Sequence, residues 1–183
     1  MANPVLRLVL PMLAAACVLF GVAILGRWAR EGMRDDYQLP FTSIHCVPGP
    51  GLEQKDLLAE VQYLGRFPDQ IRLLDDGLAE RLRDAFDKHP WVLGVNDVKI
   101  TSGRIEVRLW YRRAVLAVSF DGQMRAVDAN GILLPATAST DGLPVYSGKA
   151  PPPAGPAGTR WGDKTVESSA RAAALDRDRP EPY

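Results

Sequence analysis

The sequence has no surplus of charge of either sign, and this absence already limits what the protein can bind. It carries 22 Lys and Arg residues against 22 Asp and Glu residues, so its formal net charge is zero. A dedicated nucleic-acid-binding protein normally has a strong basic excess. We therefore expect no nucleic acid among its partners.

Cysteine is scarce as well, because only Cys17 and Cys46 are present. Cys17 lies in an apolar segment and Cys46 lies well beyond it, so no disulfide framework and no CxxC metal pair can form. His45 and Cys46 are neighbours on a predicted strand, where they would point to opposite faces and could not share a metal ion. His89 has Asp87 nearby but no further ligand at a suitable spacing. We predict no metal site.

The sequence motifs of catalysis and cofactor binding are also missing. No GxSxG, GxGxxG, P-loop or HExxH pattern occurs, so a nucleophile elbow, a dinucleotide site and a zinc protease site lack support. We predict that the protein is not an enzyme and uses neither a cofactor nor a small-molecule substrate. A membrane-tethered enzyme is the alternative, and it would need a polar pocket that the sequence does not reveal.

What the sequence does contain is a long uncharged run from Leu8 to Gly26. As a helix it would span roughly 28 Å, close to the hydrocarbon thickness of a bilayer. A cleaved signal peptide would have a shorter apolar region of about 7–15 residues. We therefore predict a transmembrane helix at about 8–26, within an N-terminal segment of residues 1–36. The side chains expected to anchor it in the membrane are Leu8, Leu13, Leu19, Phe20, Ile24 and Trp28.

The orientation of this helix is ambiguous from charge. Arg7 precedes the run, whereas Arg27, Arg30 and Arg34 follow it. The positive-inside rule, counted in this way, favours a cytoplasmic location for the C-terminal part.

Hydrophobic periodicity predicts a strand–helix–helix–strand–strand order in residues 41–113. The strand Arg104–Arg112 is the clearest, because Ile105, Val107, Leu109 and Tyr111 alternate with polar or exposed positions. The other predicted elements are a strand within Phe41–Val47, a helix at Glu53–Leu64, a helix capped by Asp75 or Asp76 and stopped by His89-Pro90, and a strand at Leu93–Thr101 with a bulge near Asn96-Asp97.

A smaller β-rich region and a linker are expected behind this unit. Residues 115–120 and 124–127 suggest a hairpin, followed by a turn at 128–131, within a partial β domain at 114–148. The Pro, Ala and Gly residues of 150–158 are typical of a linker. For 149–183 we expect this linker and a weak helix, without fixed structure.

Five segments resemble, in order and spacing, the FtsQ/DivIB family of bacterial cell-division proteins. They are His89-Pro90-Trp91-Val92, the hairpin Val98-Lys99-Ile100 to Ile105-Glu106-Val107, the basic-to-apolar run Arg112-Arg113-Ala114-Val115-Leu116-Ala117, the turn Val127 to Leu133, and Leu143-Pro144-Val145-Tyr146-Ser147-Gly148. Together with the uncharged run, the resemblance covers residues 5 to about 148. The sequence departs from the family in its C-terminal β domain, which is long in family members and shortened here.

The resemblance implies a fold of class α+β, with an N-terminal transmembrane helix followed by a POTRA-like β-α-α-β-β domain and a short β extension. It implies a single-pass protein of the cell inner membrane whose C-terminal domain is extracytoplasmic. Its function in septum formation would be to bind other membrane proteins of the division complex. The alternative is a POTRA-bearing subunit of a protein export or outer-membrane assembly system.

Two surfaces are predicted to bind partners. The strand Leu93–Thr101 should lie at an edge of the sheet, where its free backbone groups could pair with a partner segment. This edge-strand site comprises Leu93, Val95, Asp97 and Lys99, although a bulge near Asp97 could instead guard the edge. The outward face of the next strand is a basic strip with an aromatic residue, formed by Arg104, Arg108, Trp110 and Arg112. It is either a second docking site for a protein partner, a site for nucleic acid or anionic headgroups, or a solvated face.

Overall fold

A computed structural model describes residues 17–25, 37–49 and 51–177 of the chain. Residues 17–25 are helical and are called α1. The remaining elements are β1 (Gln38–Pro40), a 3₁₀ turn (Phe41–Ser43), β2 (His45–Cys46), α2 (Gln54–Gly65), β3 (Gln70–Arg72), α3 (Leu78–Asp87), β4 (Val92–Thr101), β5 (Arg104–Tyr111), β6 (Leu116–Phe120), β7 (Gln123–Val127) and α4 (Lys164–Arg177). The fold class is α+β.

The predicted transmembrane helix is the main correction. Within residues 17–25, 37–49 and 51–177, no helix is both long and apolar enough to cross a membrane. A span requires about 20 apolar residues, and the described part of α1 comprises residues 17–25. Of the predicted anchoring residues, Leu19, Phe20 and Ile24 lie exposed in α1, while Leu8, Leu13 and Trp28 lie outside the described residues.

Residues 37–113 form what we call the first lobe, in which α2 and α3 cover one face of a three-stranded sheet. The strand order is β2-β5-β4, with β5 parallel to β2 and antiparallel to β4. The apolar stripe of α2 and that of α3 meet the inward side chains of β5 in one buried cluster, whose members include Leu57, Leu82, Phe86, Ile105 and Val107. The predicted strands and helices of this lobe occur in the predicted order, with the short strands β1 and β3 in addition.

Several boundaries differ from the predicted ones for local reasons. The predicted strand in Phe41–Val47 is reduced to His45–Cys46, because Phe41–Ser43 form a 3₁₀ turn that places Phe41 in the core. The predicted aspartate cap of α3 is wrong, since Gly77 occupies the cap position and no side chain bonds there. The short antiparallel pair of β1 with β3 was not predicted.

Strand β4 contains two irregularities in its pairing with β5. The register shifts between Val92 and Gly94 and again between Val95 and Asp97, and the second shift confirms the predicted bulge. Each bulge adds a residue to β4 without a matching residue on β5. As a result Val95, Val98 and Ile100 all pack against the core.

Residues 114–177 form the second lobe, built on the hairpin of β6 and β7. Ile132 and Leu133 extend this sheet beside β7, and residues 158–161 pair with them in turn: Leu133 donates its N–H to the carbonyl of Thr159, and Trp161 donates to that of Gly131. On one face α4 packs Val166 and Ala170 into a cluster with Val118, Val127 and Trp161.

The expectation of a linker without fixed structure at 149–183 is therefore corrected for residues 149–177. Trp161 is 1% exposed, stacks edge-on with Phe120 and donates its indole N–H to the carbonyl of Pro151. Asp163 caps α4 by accepting the N–H groups of Thr165 and Val166, and these bonds, with one from the Thr165 hydroxyl, hold the pKa of Asp163 below its ordinary value. A buried tryptophan and a capped helix fix a segment that composition alone describes as flexible.

Candidate partner-binding surface

Among the described residues, no element covers the side of the first-lobe sheet that faces away from α2 and α3, and we call this side the open sheet face. Alternation along β5 turns Arg104, Arg108 and Trp110 outward, opposite to the buried Ile105 and Val107. The face is made of exposed residues of β2, β4 and β5: His45, Leu93, Asp97, Lys99, Thr101, Arg104, Arg108 and Trp110. It contains most of the residues predicted for both binding surfaces.

Trp110 is the most prominent apolar group of the open sheet face, with 61% of its surface exposed. Its cross-strand partner is Gly94, and a side chain at Gly94 would have nothing within 4 Å. The indole thus lacks the cross-strand neighbour that covers an aromatic residue in most sheets. Leu93, the extra residue of the first bulge, is 51% exposed beside it, and Val47, which follows β2, is 74% exposed.

The charges on the open sheet face nearly cancel. Arg104 forms an ion pair with Glu106 at 3.0 Å. Lys99 is in register with Glu106, and Asp97 is in register with Arg108. Three basic groups thus face two acidic ones, so the basic strip predicted from β5 alone is largely neutralised by its cross-strand neighbours.

The edge of β4 is partly closed by a side chain. β4 is an outer strand of the sheet, as predicted. The backbone N–H of Val95, however, donates to the Asp87 carboxylate at 3.1 Å, so this position is not free to pair with another chain. Of the residues predicted for the edge site, Leu93, Asp97 and Lys99 are exposed, whereas Val95 is half-buried against the core. The edge is therefore closed to pairing at the N–H of Val95.

Arg112 does not belong to the exposed face, which corrects the prediction for this residue. β5 ends at Tyr111, and the alternation ends with it. The Arg112 side chain is 16% exposed and forms an ion pair with Asp128 at 2.8 Å. Asp128 also accepts the N–H groups of Asn130 and Ile132. Arg112 thus joins the first lobe to the turn that follows β7.

A cavity of about 370 Å³ lies where the two lobes meet. Its lining residues include the aromatic Trp91 and Tyr111, the basic Arg112 and Arg113, and the hydroxyl-bearing Thr137 and Ser139. The lining contains neither a carboxylate nor an imidazole that could act as a general base.

Comparison with known proteins adds no relative: no protein-family model matches the chain, and no curated protein matches its sequence. The resemblance to the FtsQ/DivIB family therefore rests on the five segments of the sequence alone.

Proposed function

We propose that the protein is a scaffold of the bacterial cell-division machinery, which binds other division proteins through the open sheet face. The observation that carries this proposal is Trp110, a largely exposed tryptophan without a cross-strand neighbour. The five segments that resemble the FtsQ/DivIB family supply the process in which the binding would take place. Binding itself would be the activity.

The chemistry of the open sheet face suits a protein partner. Tryptophan and arginine are enriched among the residues that dominate binding energy in interfaces, and Trp110 and Arg108 lie two residues apart on one strand face. Burial of Leu93 or Val47 would contribute about 1.5–3 kcal/mol each. Asp97, Lys99 and Arg108 would supply the polar rim that fixes the orientation of a partner.

The first test is photo-crosslinking in living bacteria with a photoreactive amino acid in place of Trp110. Tyr63, an aromatic residue on the outer side of α2 with 84% exposure, is the matched control position. Crosslinks from position 110 to division proteins, without the same crosslinks from position 63, are the expected result. Crosslinks to polypeptides in transit would instead favour the export or outer-membrane assembly alternative.

Replacement of the tryptophan tests the energetic part of the proposal. Trp110→Ala should weaken capture of the crosslinked partner by about 30-fold, the effect of losing a residue worth about 2 kcal/mol. Tyr63→Ala should leave capture unchanged, and both variants should keep the circular dichroism of the parent protein. Equal affinity of the Trp110→Ala variant and the parent would refute the role of this face.

The extracytoplasmic location is part of the proposal and has its own test. A reporter that is active only in the cytoplasm, fused after Tyr183, is expected to stay inactive. An active reporter would place the binding domain on the cytoplasmic side and contradict this part.

A further inference from the structure

His89 is a buried histidine whose two ring nitrogens are both engaged. It follows α3, and 1% of its surface is exposed. Nε2 lies 2.9 Å from a carboxylate oxygen of Glu60 on α2. The backbone N–H of Trp91 points at Nδ1, at 3.3 Å. A backbone amide can only donate, so Nδ1 must be the unprotonated nitrogen and Nε2 must donate its proton to Glu60.

A second proton on this ring could attach only at Nδ1. There it would face the N–H of Trp91, so two donors would oppose each other and the Trp91 amide would lose its acceptor. Burial holds the pKa of His89 below its ordinary value, and the Glu60 carboxylate counteracts this lowering only in part. The Glu60 side chain is 60% exposed, so solvent screens its charge.

The other groups around the ring do not offer a new partner for Nδ1. Asp87, on the same element as His89, already accepts the N–H of Val95, and the neighbouring charge of Lys88 has the same sign as an imidazolium. The C-terminal segment brings the uncharged Gly158 against Pro90, where a side chain would approach the proline within 3.2 Å.

The turn that contains His89 is also where the two lobes meet. Val92 donates its N–H to the carbonyl of His89 at 2.9 Å, and Arg112 donates to the carbonyl of Trp91 at 2.9 Å. The Trp91 side chain packs against Ala126, Leu134 and Ala138 of the second lobe. A change in the backbone at Trp91 is therefore transmitted to both lobes.

We propose that residues 89–92 form an acid-sensitive switch, in which protonation of His89 at Nδ1 releases the Trp91 amide and loosens the junction between the lobes. The closed junction binds a proton less readily than an opened one, in which the pKa returns toward 6.5. The stability of the closed junction is therefore complete above about pH 6.5 and decreases as the pH falls from there toward the lowered pKa of the folded state. This switch is independent of the proposed function, because it concerns only the contacts of residues 89–92.

The test uses the full chain and two NMR measurements over about pH 5 to 7.5, the range in which histidine titrates. At neutral pH the ¹⁵N shifts of the His89 ring should show a proton on Nε2 and none on Nδ1. Hydrogen exchange at the amides of Trp91, Val92 and Arg112, corrected for its intrinsic pH dependence, should lose protection as the ring becomes protonated. Glu60→Gln removes the charge that favours the imidazolium, so the midpoint of the His89 titration and of the loss of amide protection should move to lower pH.

Two variants serve as controls. Glu53→Gln neutralises an exposed carboxylate just before α2 and should not move the midpoint. His89→Gln has no titrating ring and should abolish the pH response of the three amides. A proton on Nδ1 at neutral pH, constant protection across the range, a midpoint unmoved in the Glu60→Gln variant, or an unchanged response in the His89→Gln variant would each overturn the proposal. Should His89→Gln fail to fold, the ¹⁵N ring shifts of the parent protein and the midpoint of the pH response in Glu60→Gln still test the proposal.

Discussion

Asp128 is 3% exposed, and its carboxylate accepts three hydrogen bonds: two from backbone N–H groups of its own turn and one from Arg112. An aspartate that satisfies both a turn and a buried guanidinium leaves two kinds of group without partners when it is removed. The sequence motif Val127 to Leu133 predicts a turn here, but it does not predict the contact of Asp128 with Arg112.

We expect Asp128→Ala to lower the free energy of unfolding by about 3–5 kcal/mol, because the Arg112 charge stays buried without its counter-ion. Asp141 is a suitable control, since it lies in an exposed turn and bonds only to Ser139. Asp141→Ala should cost about 1 kcal/mol or less. Urea denaturation measures both, and similar losses in the two variants would contradict the structural role of the Arg112–Asp128 pair.

At the residue scale, the alternation of the sequence correctly predicted which side chains are buried and which are exposed within regular strands. It failed for residues beyond the strand ends. His45 is exposed and Cys46 is 2% exposed, as their alternation predicts, and burial raises the pKa of the Cys46 thiol to about 11. Arg112 was predicted to be exposed because the alternation was extended past Tyr111. Its partner Asp128 is distant in sequence, and a contact of this kind has no periodic signature.

Among the elements, α4 depends on a glycine in the turn against which it packs. Gly131 has a φ of 71°, a conformation that a residue with a side chain adopts only with strain. A Cβ atom there would lie 2.6–3.1 Å from Glu167 of α4, including its backbone. The close approach of the turn to the helix therefore requires glycine for two separate reasons.

Gly122, in the turn between β6 and β7, allows the effect of backbone conformation to be measured apart from the effect of the contact with α4. It has the same φ of 71° but nothing within 4 Å of a Cβ. Gly122→Ala should cost about 1 kcal/mol from backbone strain alone. Gly131→Ala should cost more by about 1–3 kcal/mol, since α4 must also move. Thermal unfolding of the two variants gives the difference, and equal losses would show that α4 does not press on this turn.

The elements of the first lobe were predictable because each has a strong periodic pattern. The stripe of Leu57, Leu58 and Val61 and the alternation of β5 both repeat over enough residues to define a face. The weak helix expected within 149–183 is observed as α4, whereas the positions of residues 149–163 were not predictable in this way, since Pro, Ala and Gly have no period. Their position depends on Trp161 and on backbone pairing with residues 131–133.

The molecule as a whole is expected to unfold in one step. The ion pair of Arg112 with Asp128, the contact of Pro90 with Gly158 and the packing of Trp91 all connect the two lobes. Removal of one lobe would leave polar and apolar surface of the other without partners, which couples the two unfolding equilibria.

Cys46 and Trp161 provide a probe in each lobe. In a Cys17→Ser background, labelling of Cys46 by a thiol reagent reports opening of the first core, because the folded thiol is buried. The ¹⁹F signal of Trp161, in protein labelled with 5-fluorotryptophan, reports opening of the core of the second lobe. Their urea midpoints should coincide in this background and separate when Asp128→Ala is added. Separate midpoints without Asp128→Ala would show that the lobes are independent.

The pairing of residues 158–161 with 131–133 also determines when the second lobe can finish folding. During synthesis, β6, β7 and Leu133 leave the ribosome before Thr159 and α4. The edge of the sheet at residues 131–133 therefore stays unpaired until residues 158–161 have emerged. We expect the nascent chain to depend on a chaperone until this edge is paired. For the same reason, a proteolytic cut between Ala150 and Gly158 would detach the last strand partner together with α4, and the remaining fragment would tend to aggregate.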